Sequence, residues 1–514
     1  MEKVIIFGTG QMADETYEIM SGLESYGVIA FADNDCSKWG MKKNDLPVLS
    51  AESLRGFSDA VIVIASSYYA DISIQLQEMG INLKYYESIQ SIIGRISPKE
   101  RQELKAYLKQ NSRVKTSYYN LDYEYKDVSK WNDHENREKK YLIICNGGYP
   151  TPDNPRGAFV HRRVLQYIEQ GLKAEVFGCI ENQTFETYEY EGVKVFQGGM
   201  LELRQFIIAR SYEKLLIHFV DKNIMYAIWR SGRINMPIII WCHGYEVMRW
   251  NRIYYCYSDS ELEKNKKNWD KRDQDKNKFF KKIFLMDNIQ FVFVSNWLKE
   301  RVKKSVGILP IHCEVIPNFI DGGFYRSEPK RKEDRLKILC IKSHSTKTYA
   351  NDITAKAILE LSDREFFKEL TFDLYGDGEL FETNFSELRK KRFPNVFIHR
   401  GYIGQNKIRE LFADHGILLS PTRCDTQGVT SCEGMSAGMV VISCNTAAVP
   451  EFISEDCGSL YEFDNYMQLA DEIAYLYDHP EEFVKKGKNA AARMEKQCGL
   501  ISTVQKELKL IAGM

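Results

Sequence analysis

Two carboxylates, Asp425 and Glu433, stand eight positions apart on either side of Gly428. The pattern around them predicts a ligand-binding edge. Gly416–Ser420 is an apolar run too short for a helix and typical of a strand buried on both faces. Pro421–Gly428 is turn-rich and carries Arg423. Val429–Ala437 reads as a helix ending at Gly438, where a left-handed C-cap fits, and Met439–Cys444 reads as a second buried strand. The whole is a βαβ unit. In open parallel sheets ligands bind outside the carboxyl ends of the strands, often against a helix N-terminus. The plainer alternative is that Asp425 caps the helix, a role Asp often takes, and that Glu433 is solvated.

This segment resembles the E-x7-E segment of family-4 glycosyltransferases, retaining enzymes of the GT-B fold, with the first Glu replaced by Asp. The resemblance implies that Asp425 binds hydroxyls of a donor sugar, that Glu433 binds the ribose, and that the backbone of Gly428, Val429 and Thr430 holds the distal phosphate. Lys342 and Lys347, five apart after the predicted strand Lys337–Ile341, match the family's R-x4-K phosphate pair with Lys in place of Arg. Lysine supplies the charge without the bidentate fork. Two solvated loop lysines are the alternative. His243, after the apolar run Pro237–Cys242, occupies the place of a family histidine near the donor's sugar and phosphate. The loop Gly147–Gly157, with Arg156 beside Gly157, resembles the glycine loop that approaches the donor, with a single glycine where the helix opens. Asn318 and Asp321 match the V-I-x-N-x-x-D segment of the lobe junction. Gly376-Asp377-Gly378 resembles a G-x-G turn of the donor lobe, and Tyr402 and Ile403 stand where backbone groups read the base. The mechanism so implied uses no metal, no cofactor beyond the nucleotide-diphosphate sugar donor, and no protein nucleophile.

The elements that must position these residues follow from the chain as a whole. Its 514 residues are too many for one core. Apolar content of 44% and charged content of 27% are those of a soluble globular chain. A net charge of −1 offers no global attraction to nucleic acid. The start MEKVIIFGTG has no signal-peptide pattern, and no apolar run reaches the ~18 residues of a membrane span. The twelve cysteines are scattered without C-x-x-C pairing, so reduced core thiols are expected. The chain reads as cytoplasmic.

Residues 1–92 read as a small Rossmann-like domain. A strand Lys3–Phe7 leads into the turn Gly8-Thr9-Gly10-Gln11-Met12-Ala13, and a second strand, Val28–Phe31, ends at Asp33-Asn34-Asp35. These are parts of a nucleotide-binding half, with Gly8, Gly10 and Asp33 as contacts. The domain resembles the one ahead of some bacterial sugar-modifying acetyltransferases, which binds a sugar nucleotide. A close-packed turn without a ligand explains the glycines equally well, and the acidic triplet also mimics a D-x-D metal site. Residues 93–138 read as a helical and polar connector. The resemblance implies that an α/β fold of GT-B type then follows, with an acceptor lobe over 139–335, a donor lobe over 336–500 and a last helix over 501–514 that packs back on the acceptor lobe. Lys264–Lys282 mixes lysines with Trp269, Phe279 and Phe280; a solvated helical face is one reading and a peripheral contact with anionic membrane the other. No nucleic-acid recognition module is visible.

The chain is therefore expected to move a sugar from a nucleotide-diphosphate sugar to a hydroxyl of a growing surface polysaccharide or lipid-linked glycan. The alternatives are a bifunctional enzyme whose first domain modifies or binds a sugar nucleotide, and a non-catalytic glycan-assembly partner.

Overall fold

Strands buried on both faces recur along the chain and sort into three sheets, each of which needs helices on both sides. The structure, a computed structural model, describes residues 1–66, 68–81, 84–86, 88–111, 119–124, 126, 140–151, 157–181, 183–326 and 329–513. The first sheet holds β1 (Glu2–Phe7), β2 (Tyr26–Ala32), β3 (Lys42–Lys43), β4 (Leu46–Leu49), β5 (Ala60–Ile64) and β6 (Tyr85–Tyr86), in the order β3-β4-β2-β1-β5-β6. Only β3–β4 is antiparallel. These two strands and β6 are too short to show a period, and the sequence pattern does not predict them.

The second sheet holds β7 (Tyr141–Asn146), β8 (Ala174–Cys179), β9 (Glu186–Tyr190), β10 (Val193–Gly198), β11 (Lys214–His218), β12 (Ile238–Cys242), β13 (Ile289–Phe293) and β14 (Cys313–Val315). Its order is β14-β13-β12-β11-β7-β8-β10-β9, with β9 the antiparallel edge. The third, wholly parallel, holds β15 (Lys337–Ile341), β16 (Thr371–Gly376), β17 (Val396–Arg400), β18 (Ile417–Ser420), β19 (Val440–Cys444) and β20 (Gly458–Tyr461), in the order β17-β16-β15-β18-β19-β20. The second and third sheets are the two lobes of a GT-B fold, and the first is an additional α/β domain. All twelve cysteines are free.

Polar contacts, some buried and some exposed, tie these parts together. The helix Val504–Gly513 packs on the helix Ala158–Glu169 of the middle lobe. Its Glu507 is 0% exposed, yet it accepts from Arg163 Nε at 3.0 Å, the Tyr167 hydroxyl at 2.7 Å and Trp241 Nε1 at 2.8 Å. A charge can be buried there because a cation and two neutral donors replace its water. The first domain is docked on the middle lobe rather than merely tethered. Its helix Tyr69–Glu78 meets the helix Lys222–Arg230 through the Asp71–Lys222 ion pair and an edge-to-face contact of Tyr69 with Tyr226. In the connector, the Tyr123 hydroxyl donates to buried Glu202 and the Glu124 amide donates to Thr184 Oγ1 at 3.1 Å.

The lysine-rich tract lies on the 26-residue helix Asp259–Phe284, opened by a capping box between Ser258 and Glu261. Its aromatic residues do not form a face for a membrane. Phe279 and Phe280 are buried in the core of the middle lobe, and Trp269 packs against Tyr257 and Trp250. The lysines, Lys276 apart, are exposed. No helix among the described residues is long and apolar enough to cross a membrane.

Candidate active site

The loop after β12 and the loop after β18 meet across the two lobes. Thr426 Oγ1 donates to the carbonyl of His243 at 2.6 Å, and a Cβ on Gly244 would lie 2.6 Å from Thr426 Cγ2. The loops that carry His243 and Asp425 thus lie directly against each other.

On the third sheet, Gly428 has φ 78 and opens the helix Val429–Ser436. A side chain is strained in that conformation, which explains glycine here. Asp425 Oδ1 accepts from the amides of Gly428 at 2.8 Å and Gln427 at 3.2 Å, so the carboxylate does cap the turn, through one oxygen. Val429 and Thr430 form the first helical turn, where amides have no intrahelical acceptor. The Gln427 side chain clamps the lobe junction: its Oε1 accepts from the Asn318 amide at 2.7 Å and its Nε2 donates to the Asn318 carbonyl at 3.1 Å.

Glu433 is buried rather than solvated, and it terminates a chain of hydrogen bonds from the other lobe. Arg162 Nε donates to Gln405 Oε1 at 2.7 Å, Gln405 Nε2 donates to the Tyr325 hydroxyl at 3.1 Å, and that hydroxyl donates to Glu433 Oε1 at 2.8 Å. Arg162 itself sits over the Phe324 ring, its guanidinium carbon 3.8 Å from the ring centre. Burial pushes the Glu433 carboxyl up to about 7, against the opposing pull of the Tyr325 hydrogen bond and the Arg162 charge. Arg162, Gln405 and Tyr325 escape sequence reasoning; an arginine pair inside an amphipathic helix, Arg162-Arg163, is the one hint.

The two lysines part company. Lys342 is buried at the end of β15, whereas Lys347 is exposed in a turn whose carbonyl accepts from Arg423 Nη1 at 2.6 Å. Arg423 is consumed structurally, bidentate on Asp352 at 2.8 and 3.0 Å and bonded to Asp464 at 2.7 Å. Gly376 is needed for close approach, since a Cβ there would lie 2.0 Å from the Lys342 carbonyl oxygen. Tyr402, 65% exposed, donates from its hydroxyl to the Asp377 carbonyl at 3.3 Å.

On the second sheet, His243 is buried and its Nε2 lies 3.0 Å from Nδ1 of His218, at the end of β11. Burial first, then the Arg163 charge, holds His243 well below the usual histidine range, so the ring is neutral. One ring must donate to the other, which couples their tautomers. Glu246 accepts from the amides of His243 and Gly244, the latter at 3.0 Å, and burial raises its carboxyl to about 7. Gly157 caps the helix Ala158–Glu169 with φ 81, while Arg156 lies outside the described residues.

In the first domain, a cavity of about 800 Å³ is lined by Gly8, Gly10 and Asp33. A Cβ on Gly8 would lie 2.6 Å from the Ala65 carbonyl oxygen, so packing alone requires that glycine. Asp33 accepts from Thr9 Oγ1 and from the Asp35 amide at 2.9 Å. Burial alone would raise its carboxyl, but these bonds and Lys38 bring it below the usual range. Asn34 exchanges amide hydrogen bonds with Gln75, and Asp35 caps the turn Cys36–Lys38. The acidic triplet is thus engaged within the protein, and no cluster of metal-ligating side chains occurs among the described residues.

Comparison with known proteins gives separate matches for two parts of the chain. Residues 1–86 match the family described as C2185-like, N-terminal, and residues 335–479 match Glycosyl transferases group 1. A phosphatidylinositol N-acetylglucosaminyltransferase chain from Arabidopsis thaliana is 22% identical over 181 residues, 35% of this chain; the chain spans only 40% of that relative's length. Sucrose-phosphate synthase from Thermosynechococcus elongatus superimposes with a TM-score of 0.57 at 12% identity, over 73% of this chain and 98% of its own. HepE from Anabaena, in a complex with UDP and glucose, superimposes with a TM-score of 0.51 at 14% identity, over 73% of this chain and 100% of its own. These likenesses establish the GT-B fold.

Proposed function

We propose that this chain is a retaining glycosyltransferase that moves a sugar from a UDP-type nucleotide sugar to a hydroxyl of a growing surface polysaccharide or related glycan, on the cytoplasmic side of the cell membrane. One observation carries the reading. A left-handed glycine opens a helix at the carboxyl end of β18, and a buried acid, Glu433, follows in the next turn, within a segment that matches a glycosyltransferase family. HepE, of the same fold, is known in complex with UDP-glucose, which supports a nucleotide sugar as donor.

In this reading the amides of Val429 and Thr430 and the Lys342 and Lys347 cations face the diphosphate, Glu433 accepts from the ribose hydroxyls, and Asp425 meets the sugar with the oxygen not used in the turn. Gly376, Tyr402 and Gly157 border the donor. The acceptor oxygen bonds to the anomeric carbon on the face the diphosphate leaves. The bond from that carbon to the phosphate oxygen breaks, its electrons stay on the diphosphate, and the acceptor's proton passes to the departing oxygen. Groups already aimed at that oxygen lower the barrier without reorganisation. Neutral His243 offers hydrogen bonding without charge. No metal or protein nucleophile enters.

Calorimetric titration of UDP and UDP-glucose, with NMR of the anomeric configuration released, tests the proposal. Absence of nucleotide binding overturns the donor site, and an inverted product overturns retention. The cavity beside Gly8, Gly10 and Asp33 favours one second reading, a nucleotide site in the first domain. A stoichiometry of two UDP per chain supports it.

A further inference from the structure

We propose that Tyr68, carried by the first domain, forms the outer wall of the acceptor site, so that the acceptor glycan is held between two domains. This inference rests on the transferase reading above.

The site begins at the carboxyl edge of the second sheet. Asn146, Phe219 and Tyr245 belong to the ends of β7, β11 and β12, three strands adjacent in the sheet, and they line a groove of about 410 Å³. That edge is where open α/β sheets bind ligands. The groove adjoins the transfer centre: the Phe219 ring centre is 4.4 Å from that of His243, and Tyr245 stacks on Phe219 at 5.6 Å. The donor groups Lys342, Asp425 and Glu433 all belong to the other lobe, so this side of His243 is left for the second substrate. Phe219 also has φ 62, an uncommon conformation for a bulky residue, and its carbonyl accepts from Asn146 Nδ2 at 3.0 Å. Such strain concentrates at functional sites.

The chemistry of the walls selects the ligand class. Tyr245 is 51% exposed and Tyr68 is 41% exposed, and Lys222, Arg272 and Asp275 line the same groove. Flat aromatic faces suit the apolar faces of pyranose rings, while ionic groups meet the hydroxyl edges. A glycan needs both together.

Tyr68 is held where this role requires it. It directly precedes the helix Tyr69–Glu78, which the Asp71–Lys222 ion pair and the Tyr69–Tyr226 contact fasten to the middle lobe. Tyr68 and Asp275 also line the cavity beside Gly8, so the groove continues along the first domain, with room for more than one sugar.

The test uses the full chain, with a panel of p-nitrophenyl hexopyranosides followed by saturation-transfer NMR and UDP followed by calorimetry. Glycoside binding is expected in the wild type, weakened about tenfold or more in Tyr68→Ala and in Asp275→Ala, and restored in Tyr68→Phe, which keeps the ring. UDP affinity at the Glu433 site stays unchanged in all three. The thermal midpoint of Tyr68→Ala should match the wild type because the ring is substantially exposed. If no glycoside binds, or binding is indifferent to both alanine variants, the inference is wrong while the transferase reading stands. If UDP does not bind the wild type, that reading fails, and the glycoside arm still judges the groove.

Discussion

Replacing Glu433 by Gln removes a buried charge but keeps a side chain that can accept the Tyr325 hydroxyl. The ordinary glutamate value is 4.5, and burial lifts this carboxyl to about 7. Below pH 4.5 it is protonated in folded and unfolded chains alike, and the site has no effect on stability. As pH rises from 4.5 toward 7 the unfolded chain ionises first, so the folded state loses ground, and above about 7 the loss is constant. At ~1.4 kcal/mol per pH unit the full loss is on the order of 3 kcal/mol. Glu433→Gln should therefore be more stable than the wild type at about pH 8, with the gap closing as the pH falls toward about 5. UDP affinity should move the other way. A charge-assisted hydrogen bond to the ribose is worth ~1.5–3 kcal/mol, so the variant should bind UDP about 10- to 150-fold more weakly. Denaturation across that pH range, paired with calorimetry, reads both. A stability gap that ignores pH refutes the buried-charge argument, and unchanged UDP affinity refutes the site.

Four further outcomes are expected. Glu507→Ala leaves Arg163 buried without its carboxylate and should destabilise by ~3–5 kcal/mol in chemical denaturation. Gly376→Ala must push apart the Gly376 turn and the Lys342 carbonyl, 2.0 Å from the new methyl, and should sharply lower soluble yield or the thermal midpoint. His218→Phe should lower kcat more than it changes UDP affinity, because it disturbs the orientation of His243 rather than the donor lobe; an unchanged kcat would remove His218 from the mechanism. Transfer should persist in EDTA, and recovery with manganese after chelation would demand a metal site.

What the sequence determined by itself is local in origin. The strand at Lys337–Ile341, the turn that ends at Gly428, and the helix and strand after it are visible because burial on two faces and a glycine turn leave their marks within a few neighbouring residues. Lys347 and Asp425 were legible as positions but not as environments. Only the fold shows that Lys347 lies outside while Lys342 lies under the Gly376 turn, and that Asp425 uses one oxygen on its own loop. The remainder depends on packing between distant segments. Arg162 and Gln405 are 243 positions apart, and Tyr325 and Glu433 are 108 apart, so no local period announces that they form one chain of hydrogen bonds. His218 looks like any polar residue ending a strand until β11 and β12 are placed side by side. The same holds for Tyr68, an ordinary tyrosine in its own domain that becomes a wall only when Asp71 and Tyr69 dock on the next. Side-chain types are written in the chain, but their partners are chosen by the folding of whole sheets against one another.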